Sequence, residues 1–479
     1  MSRVNTCRIV FALLGRRTLD DNSTLPPMGI MSIASWLRSR LPGLDIRLLN
    51  QREENCSTEE IARRIVAFKP DIVGLSALTN SALAMGLVVE FVNSACPGVM
   101  TMIGGPHVAA VGGQSALESI SARAAVEGEG EISAELIVRA YFDGSDLSSI
   151  PGLAWRRNNG EVVQNTGETP IVENMDDIPF PAYDLIDLPK YWKLESMGVA
   201  APGRYAVLST SRGCPYDCNW CHKISGRKYR AQSAQRVADD MERLNREYGV
   251  ACFEIVDDVF NLHSRRVHEF SNLIRQKNLK INFGFPNGIR TDILTEEVVD
   301  ALVSAGMNSA SYALESGSPR IQKLCGKRLD IEGFMRGVEL CARRKVYGRG
   351  FAMMGHPTEM ESDLERTTKI LCDSPLHLCL VFTVTPFPGT ELYRIALEKF
   401  PEKMKSLSYE GANYHTIDVN LSEVPDKVLK THINKTYRRF YLSPFRLARI
   451  VRDIPNKKRL YGGFYHVGLR MLKGFLRHG

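Results

Sequence analysis

The stretch SRGCPYDCNWCHK, residues 211–223, contains three cysteines at the spacing C-x₃-C-x₂-C, namely Cys214, Cys218 and Cys221. The other cysteines of the 11 in the chain are scattered and have no ligand-like spacing. A tight cluster in a long chain indicates a metal site rather than a disulfide framework. Three thiolates can hold three irons of a cubane iron–sulfur cluster and leave the fourth iron open to a substrate. The spacing therefore predicts a reactive cluster.

A zinc site is the alternative interpretation of these cysteines, with His222 or another residue as the fourth ligand. Adjacent Cys221 and His222 cannot easily both reach one tetrahedral ion, so the iron–sulfur cluster is favoured. Two basic residues, Arg212 and Lys223, flank the cysteines. We expect both to stabilise the thiolates and the negative charge of the cluster.

The cysteines follow the first of six strand-like segments, which alternate with segments of helical periodicity. Six β-α units over roughly 190 residues are too few for an eight-stranded barrel, and they predict a partial (β/α)6 barrel over residues 201–400. Functional groups of such a barrel lie at the carboxyl ends of its strands. The predicted strands are Ala206–Thr210, Cys252–Val256, Ile281–Phe285, Ser309–Leu314, Gly350–Met354 and Leu378–Thr383.

Residues 1–140 also alternate strand and helix signals, and their strands are mostly apolar. This pattern predicts a doubly wound, Rossmann-like α/β domain whose ligands bind beyond the carboxyl ends of its strands. Those ends carry LSALTN at 75–80, GGPH at 104–107 and EGEGE at 127–131. Residues 141–200 form a predicted hairpin, which turns at Asn159 and Gly160, and a proline-containing linker.

Composition and charge narrow the class of protein. The chain has 479 residues with 44% hydrophobic and 24% charged residues, which predicts two or three globular domains. The sequence has no apolar run of about 18 or more residues, so no membrane span is predicted. The N-terminus lacks the cleavage site of a signal peptide. We therefore expect a cytoplasmic protein. The formal net charge is +7, but residues 430–479 contain 13 Lys or Arg and one acid, so they carry +12 and the remainder −5.

Residues 401–479 are predicted to form a basic helical C-terminal region. Aromatic and leucine residues alternate with arginines there, as in an interfacial amphipathic helix. The sequence therefore predicts peripheral contact with an anionic inner membrane face, and the alternative is a solvated helix packed on the barrel. Nucleic acid is not expected, because the rest of the chain is acidic and has no binding motif. The residues expected to provide apolar membrane contact are Phe440, Tyr441, Phe445, Phe464, Tyr465 and Phe475.

The motif RGCPYDCNWC resembles the cluster-binding loop of the radical S-adenosylmethionine (SAM) superfamily. The resemblance extends over nearly the whole chain, in the order typical of the cobalamin-binding branch of that superfamily. The segments that carry it are PPMG, PDIVGLSALT, GGPH, EGEGE, FEIVDDVFN, NGIRTDIL, SYALESGSPR, GFAMMGHPTE and TPFPGTELY. It implies a [4Fe–4S] cluster, SAM and cobalamin as cofactors, with Cys214, Cys218 and Cys221 as the cluster ligands.

Carboxylates at two strand ends are candidates for binding SAM by this resemblance. Asp257 and Asp258 follow the second barrel strand, where the SAM amino group is bound in the family, although the common Gly-Gly-Glu form is absent. Glu315 and Ser316 end the fourth strand, where a carboxylate would accept hydrogen bonds from the ribose. The alternatives are a solvated or helix-capping pair at Asp257 and Asp258, and a cap of the helix near Pro319.

Two further residues are candidates for the substrate site. Arg290 follows the third barrel strand and could bind a carboxylate or phosphate, or simply pair with Asp292. His356 follows the fifth strand and could line the substrate site, although a lone histidine is more often structural.

The cobalamin candidates lie in the N-terminal domain, where glycines allow backbone to approach a bulky cofactor. They are Ser76, Thr79, Gly104, Gly105, Gly128 and Gly130. No Asp-x-His-x-x-Gly motif occurs in the chain, so cobalt is expected to have no protein histidine ligand. The alternative is an empty Rossmann domain.

The resemblance implies that one SAM molecule regenerates methylated cobalamin and a second yields a 5′-deoxyadenosyl radical. We expect a methyltransferase that acts at an unactivated carbon of a small-molecule or lipid-like substrate, with an external electron donor such as a flavodoxin or ferredoxin. A non-methylating cyclase or rearrangement enzyme is one alternative. A non-catalytic cobalamin or SAM sensor is the other.

Overall fold

The computed structural model describes residues 6–18, 22–198, 203–410 and 418–457. Its first unit is built on a seven-stranded sheet with the order β2-β1-β3-β4-β5-β6-β7. The first five strands are parallel, and the last two form an antiparallel hairpin at the sheet edge. The strands are β1 (Cys7–Leu14), β2 (Leu44–Asn50), β3 (Ile72–Ala77), β4 (Met100–Gly104), β5 (Ala124–Ala125), β6 (Ala154–Arg156) and β7 (Val162–Gln164).

Helices cover both faces of this sheet, which confirms the predicted doubly wound arrangement. Residues of α1 and α7 pack in one apolar core, and residues of α3, α4 and α6 pack in the other. Apolar strands buried on both faces are expected of a parallel sheet. The helices are α1 (Met28–Arg40), α2 (Gln51–Glu54), α3 (Thr58–Ala67), α4 (Ala82–Ala95), α5 (Pro106–Val111), α6 (Gly113–Ser119) and α7 (Glu131–Asp143).

The hairpin β6–β7 pairs with β5 and therefore belongs to the first sheet. The domain end predicted at residue 140 consequently falls before the last two strands of this sheet. The pairing of β5 with β6 places the hairpin in this sheet, because Ala125 lies opposite Ala154 and Ala124 lies opposite Trp155.

The segment after the hairpin contacts both units. Tyr183 is fully buried and donates its hydroxyl to the carbonyl of Val207, at the start of the second unit. Trp192 Nε1 donates to the Tyr205 carbonyl at 2.8 Å. The linker thus forms part of the packed interior. It contains α8 (Leu188–Tyr191) and short 3₁₀ turns at Met175–Asp177 and Tyr183–Leu185.

The second unit is an open sheet of six parallel strands that lie in chain order, which agrees with the predicted partial barrel. A two-stranded ribbon of β9 and β10 projects after the first strand and encloses the cysteine segment. The strands are β8 (Tyr205–Leu208), β9 (Ser211–Arg212), β10 (Arg230–Ala231), β11 (Cys252–Ile255), β12 (Asn282–Ile289), β13 (Met307–Glu315), β14 (Tyr347–Met354) and β15 (Leu378–Thr383).

Amphipathic helices connect the barrel strands and bury their apolar faces against the sheet. The helices of the barrel and the segment after it are α9 (Ala234–Tyr248), α10 (Ser264–Gln276), α11 (Glu296–Ser304), α12 (Pro319–Leu324), α13 (Ile331–Arg343), α14 (Glu361–Asp373), α15 (Glu391–Lys399) and α16 (Pro401–Lys405).

Two basic helices, α17 (Asp426–Tyr441) and α18 (Pro444–Asp453), pack on the barrel. Phe440 is fully buried and Tyr441 nearly so, which corrects their predicted exposure to a membrane. Arg446 is also buried and donates to the carbonyls of Cys372 and Ser374 at 2.7 and 3.2 Å. The structural alternative therefore holds for this part of the basic region.

Burial does not extend to every described residue of the basic region. Phe445 is 85% exposed. Phe464, Tyr465 and Phe475 lie outside the described residues. Within the described part of the chain, none of the helices combines the length and the apolar character that crossing a bilayer requires.

Candidate functional site

A cavity of about 620 Å³ lies between the two units. Five of the six cobalamin candidates line it: Ser76, Gly104, Gly105, Gly128 and Gly130. Thr79, in the turn after β3, is not among the lining residues. Residues of the second unit, including Ser211, Ile224 and Asp258, form the opposite wall. The cavity thus joins the carboxyl edge of the first sheet to the base of the cysteine loop.

The shape of this cavity depends on residues without side chains. Gly105 has φ +81°, and a Cβ atom there would collide with Ser76 Oγ. Gly128 has φ +72°, and its Cβ position lies 3.3 Å from the Ile224 carbonyl oxygen. A volume of this size with largely apolar walls is typical of a site for a bulky organic cofactor. Among the described residues that line the cavity, none is a histidine.

The three cysteines lie on the loop between β9 and β10. Gly213, with φ +81°, precedes them, and a Cβ atom there would collide with the Lys228 carbonyl. The thiols are near enough that Cys214 and Cys218 both act on the ionisation of Cys221. Desolvation within the loop raises the pKa of each thiol, that of Cys221 to about 12 although the residue as a whole is exposed, so ligation requires a metal that displaces the protons.

No group of three or more His, Cys, Asp or Glu side chains in the described chain is arranged to hold one metal ion. A cubane places each thiolate on a different iron, so its ligands surround a volume and do not converge on one point. The three neighbouring thiols fit such a cluster.

The positive charge near the thiols comes from residues that the sequence analysis did not assign to them. Lys327 and Arg290 both favour the thiolate forms of Cys214 and Cys218, and Lys327 also acts on Cys221. Lys327 follows α12, which brings it beside the loop through the Asn219 backbone bond to Cys325 at 2.9 Å. The only sign of this role in the sequence was that a basic residue, Lys327, follows soon after Glu315 at the end of its strand.

The two basic residues that flank the cysteines are paired elsewhere, which corrects their expected role. Arg212 contacts Glu129 at 2.8 Å and Glu131 at 2.6 Å in the first unit. Lys223 pairs with Asp217 on the loop surface. Carboxylates, and not the thiols, are therefore the partners of Arg212 and Lys223.

Glu315 ends β13 close to the thiols. Its backbone has φ +61°, a conformation that costs a non-glycine residue free energy and is found at functional sites. Its carboxylate lies 3.1 Å from Lys327 Nζ and acts on the ionisation of Cys218. The predicted contact of Glu315 with SAM stays a prediction.

Ser316, by contrast, is fully buried and accepts the backbone N–H of Ser318 at 3.2 Å. It supports the turn that leads into α12, and its predicted contact with SAM stays a prediction.

The two aspartates after β11 have different environments. Asp257 is buried and accepts hydrogen bonds at 2.6 Å from the Thr210 N–H, the Thr210 hydroxyl and the Ser211 hydroxyl. It therefore anchors the strand end before the cysteine loop, which corrects its predicted place at SAM. Asp258 is exposed to the cavity that it lines, and desolvation there together with the charge of Asp257 raises its pKa. Asp258 remains a candidate for the cationic part of SAM.

The substrate candidates are both removed from the cavity. Arg290 pairs with Asp292 at 2.5 Å and lies over the Tyr216 ring, with 4.0 Å to its centroid. It supports the cysteine loop and is not free for a substrate carboxylate.

His356 is fully buried, and burial lowers its pKa to about 4, so the ring is neutral. It packs edge-on against Trp220 of the cysteine loop, with 5.9 Å between the ring centroids.

Two family models match the chain in the order of its two units. Residues 20–138 match the B12 binding domain, and residues 208–371 match the radical SAM superfamily. The chain carries a radical SAM domain and, ahead of it, a B12-binding domain. It is an enzyme, and the two family models support SAM and cobalamin as its cofactors. The recognition of the family and of its fold is confirmed.

Individual relatives extend over most of the chain. An uncharacterized methyltransferase of Pyrococcus horikoshii is 29% identical over 95% of this chain and 94% of its own length. An anaerobic magnesium-protoporphyrin IX monomethyl ester cyclase of Rubrivivax gelatinosus is 25% identical over 95% of this chain and 79% of its own. The solved structure of the radical S-adenosylmethionine methyltransferase TsrM from Kitasatospora setae, with cobalamin and a [4Fe–4S] cluster bound, is similar in fold. Its TM-score is 0.66 at 16% identity, over 82% of this chain and 75% of that one.

Proposed function

We propose that the protein is a cobalamin-dependent radical SAM methyltransferase that methylates an unactivated carbon. The observation that carries this proposal is the shared cavity, in which Ser76 and Gly105 of the first unit lie opposite Ser211 and Ile224 at the cysteine loop. A cobalamin bound there would adjoin the cluster loop. When bound, the cluster and SAM supply a radical that removes a hydrogen atom, and cobalamin supplies the methyl group.

The residues of the chain hold and orient these groups. Cys214, Cys218 and Cys221 would ligate three irons and leave one iron open to SAM. Lys327 would partly neutralise the cluster, and Glu315 would accept hydrogen bonds from the ribose. The largely apolar walls of the cavity would exclude water, which protects a radical from side reactions.

We infer a small-molecule or lipid-like substrate and an external one-electron donor such as a flavodoxin or ferredoxin. A cytoplasmic location with peripheral contact at the inner membrane face accords with the +12 charge of residues 430–479. Exposed apolar side chains near α18 support that contact, namely Leu442 at 66%, Phe445 at 85% and Val451 at 45% exposure.

A cyclase is the second candidate, because the relative from Rubrivivax gelatinosus is similar over 95% of this chain. The two reactions differ in whether a methyl group of SAM appears in the product. The experiment is anaerobic purification with hydroxocobalamin, reconstitution of the cluster, and incubation with methyl-labelled SAM, a chemical reductant and extract of the source organism.

A methyltransferase should produce 5′-deoxyadenosine and a small molecule that carries the label. The variant with Cys214, Cys218 and Cys221 all changed to Ala should produce neither and should lack iron–sulfur absorbance. 5′-Deoxyadenosine with an unlabelled new product would favour the cyclase. No cleavage of SAM by the reconstituted enzyme would favour a sensor.

A further inference from the structure

Four charged side chains form a buried network between the two units. Arg212 of β9 contacts Glu129 at 2.8 Å and Glu131 at 2.6 Å, and Arg230 of β10 contacts both oxygens of Glu129. The side chains of Glu129, Glu131 and Arg230 are 3–4% exposed, and that of Arg212 is 16% exposed. Two arginines and two glutamates make the network electrically neutral.

The position of this network connects the two cofactor sites. Arg212 and Arg230 lie opposite each other in the β9–β10 ribbon, so both ends of the cysteine loop are held. Glu129 and Glu131 belong to the EGEGE segment, where Gly128 and Gly130 line the cavity. Arg212, Glu129 and Glu131 line it as well.

Two further contacts extend the network. Ser32 of α1 donates to Glu131 Oε1 at 2.6 Å, so α1 is joined to the same carboxylate. The Ile224 carbonyl of the cysteine loop approaches Gly128 so closely that a Cβ atom there would lie 3.3 Å from it. The EGEGE segment therefore meets the cysteine loop through charge pairs and through backbone packing.

We propose that Arg212, Arg230, Glu129 and Glu131 are positioning residues that couple occupancy of the cavity to the geometry of the cysteine loop. This inference rests on the proposed function. Buried ion pairs contribute little net stability, because desolvation offsets their attraction, but they can define one arrangement of two units. A ligand that orders the EGEGE segment thereby orders both ends of the cysteine loop. Conversely, a cluster that orders the loop raises the affinity for cobalamin by the same factor.

The test measures the dissociation constant of hydroxocobalamin by absorbance titration, in cluster-free and in cluster-reconstituted protein. The ratio of the two constants is the coupling factor. In the wild-type protein we expect a ratio of about 10, within the range known for coupled sites. Glu129→Gln keeps the shape of the side chain but removes the charge shared by both arginines, and its ratio should approach 1.

Two variants complete the design. Arg212→Lys keeps the charge but cannot bridge two carboxylates, and its ratio should also fall towards 1. Glu173→Gln is the matched control, because Glu173 pairs on the surface at 2.6 Å with Lys228 of the same loop, with 63% and 66% exposure. Its ratio should equal that of the wild-type protein. A purely structural role would weaken both affinities together and leave the ratio unchanged.

An unchanged ratio in Glu129→Gln and Arg212→Lys would overturn the proposal. So would a wild-type protein that binds hydroxocobalamin with a ratio of 1, and that result would leave the proposed function standing. A wild-type protein that binds no hydroxocobalamin would contradict both.

Discussion

Lys327 Nζ lies 3.1 Å from Glu315 Oε1, and Lys327 acts on the ionisation of all three cluster-loop thiols. This pair places one compact cation beside the three thiols that are the proposed cluster ligands. A nearby positive charge favours the more negative, reduced cluster.

We predict that Lys327→Gln makes the reduction potential of the cluster more negative. Removal of one positive charge from a partly solvated position near the cluster changes the free energy of its reduction by on the order of 1–2 kcal/mol. This corresponds to roughly 40–90 mV for one electron. Lys327→Arg should restore most of the shift, and Lys323→Gln, on the exposed side of α12, should leave the potential unchanged. Potentiometric titration followed by electron paramagnetic resonance measures it, and equal potentials in Lys327→Gln and wild type would refute the prediction.

Gly326 allows α12 to pack on the cysteine loop. It has φ +71°, and a Cβ atom there would collide with the Asp217 carbonyl. Gly226, inside the loop, also has φ +71° but has no atom within 4 Å of its Cβ position.

Gly226→Ala should therefore cost about 1–2 kcal/mol from backbone conformation alone. Gly326→Ala should cost more and lower the iron content after reconstitution, because the loop must shift. Thermal unfolding and iron analysis of both variants give the comparison. Equal iron content and equal unfolding midpoints would show that the contact with Asp217 has no consequence.

Glu359 is a buried acid whose pKa is raised by burial from 4.5 to about 8, although it accepts the backbone N–H groups of Gly355 and His356. The folded state binds the proton more tightly than the unfolded state. Its contribution to stability is therefore complete below pH 4.5 and is lost as the pH rises through 8.

Glu359→Gln removes this dependence, and the stability of the wild-type protein relative to the variant should fall between pH 5 and pH 9. The change should reach up to about 4 kcal/mol, from 1.36 kcal/mol per pKa unit. Asp363 and Arg320 also act on the Glu359 carboxyl group. The control is Glu361→Gln, which changes an exposed acid nearby, and its stability is measured at every pH beside that of Glu359→Gln. A constant difference across this range would contradict the raised pKa.

The membrane contact is tested by truncation after Lys457, since α17 and α18 pack on the barrel and cannot be removed without exposing its core. Truncation removes five of the 13 basic residues, each worth on the order of 1 kcal/mol near an anionic leaflet. The full chain should co-sediment with anionic vesicles at low salt, less at high salt, and the truncated chain should bind more weakly. Phe445→Ser should weaken binding further. Negligible binding of the full chain would leave the region as a structural cap.

The sequence predicted the two α/β units because strand and helix periodicity is a local property. The cysteine spacing likewise predicted the cluster loop, since ligands within eight residues meet without help from the rest of the chain. Ser76 at the end of β3 and glycines after β4 and β5 indicated the cavity, because parallel strands end at one edge.

Charged partners could not be predicted in this way. Arg212 stands two residues from Cys214 yet pairs with Glu131, 81 positions away. Asp257 and Asp258 are adjacent, but one anchors β9 and the other lines the cavity. Lys327, which lies 106 positions after Cys221 in the sequence, supplies the charge beside the thiols.

The sequence by itself thus determined which elements form and in which order, and it predicted which three thiols would bind a cluster. The tertiary structure decided which charges meet, because a pairing energy is gained only between groups that packing has already brought together and removed from water.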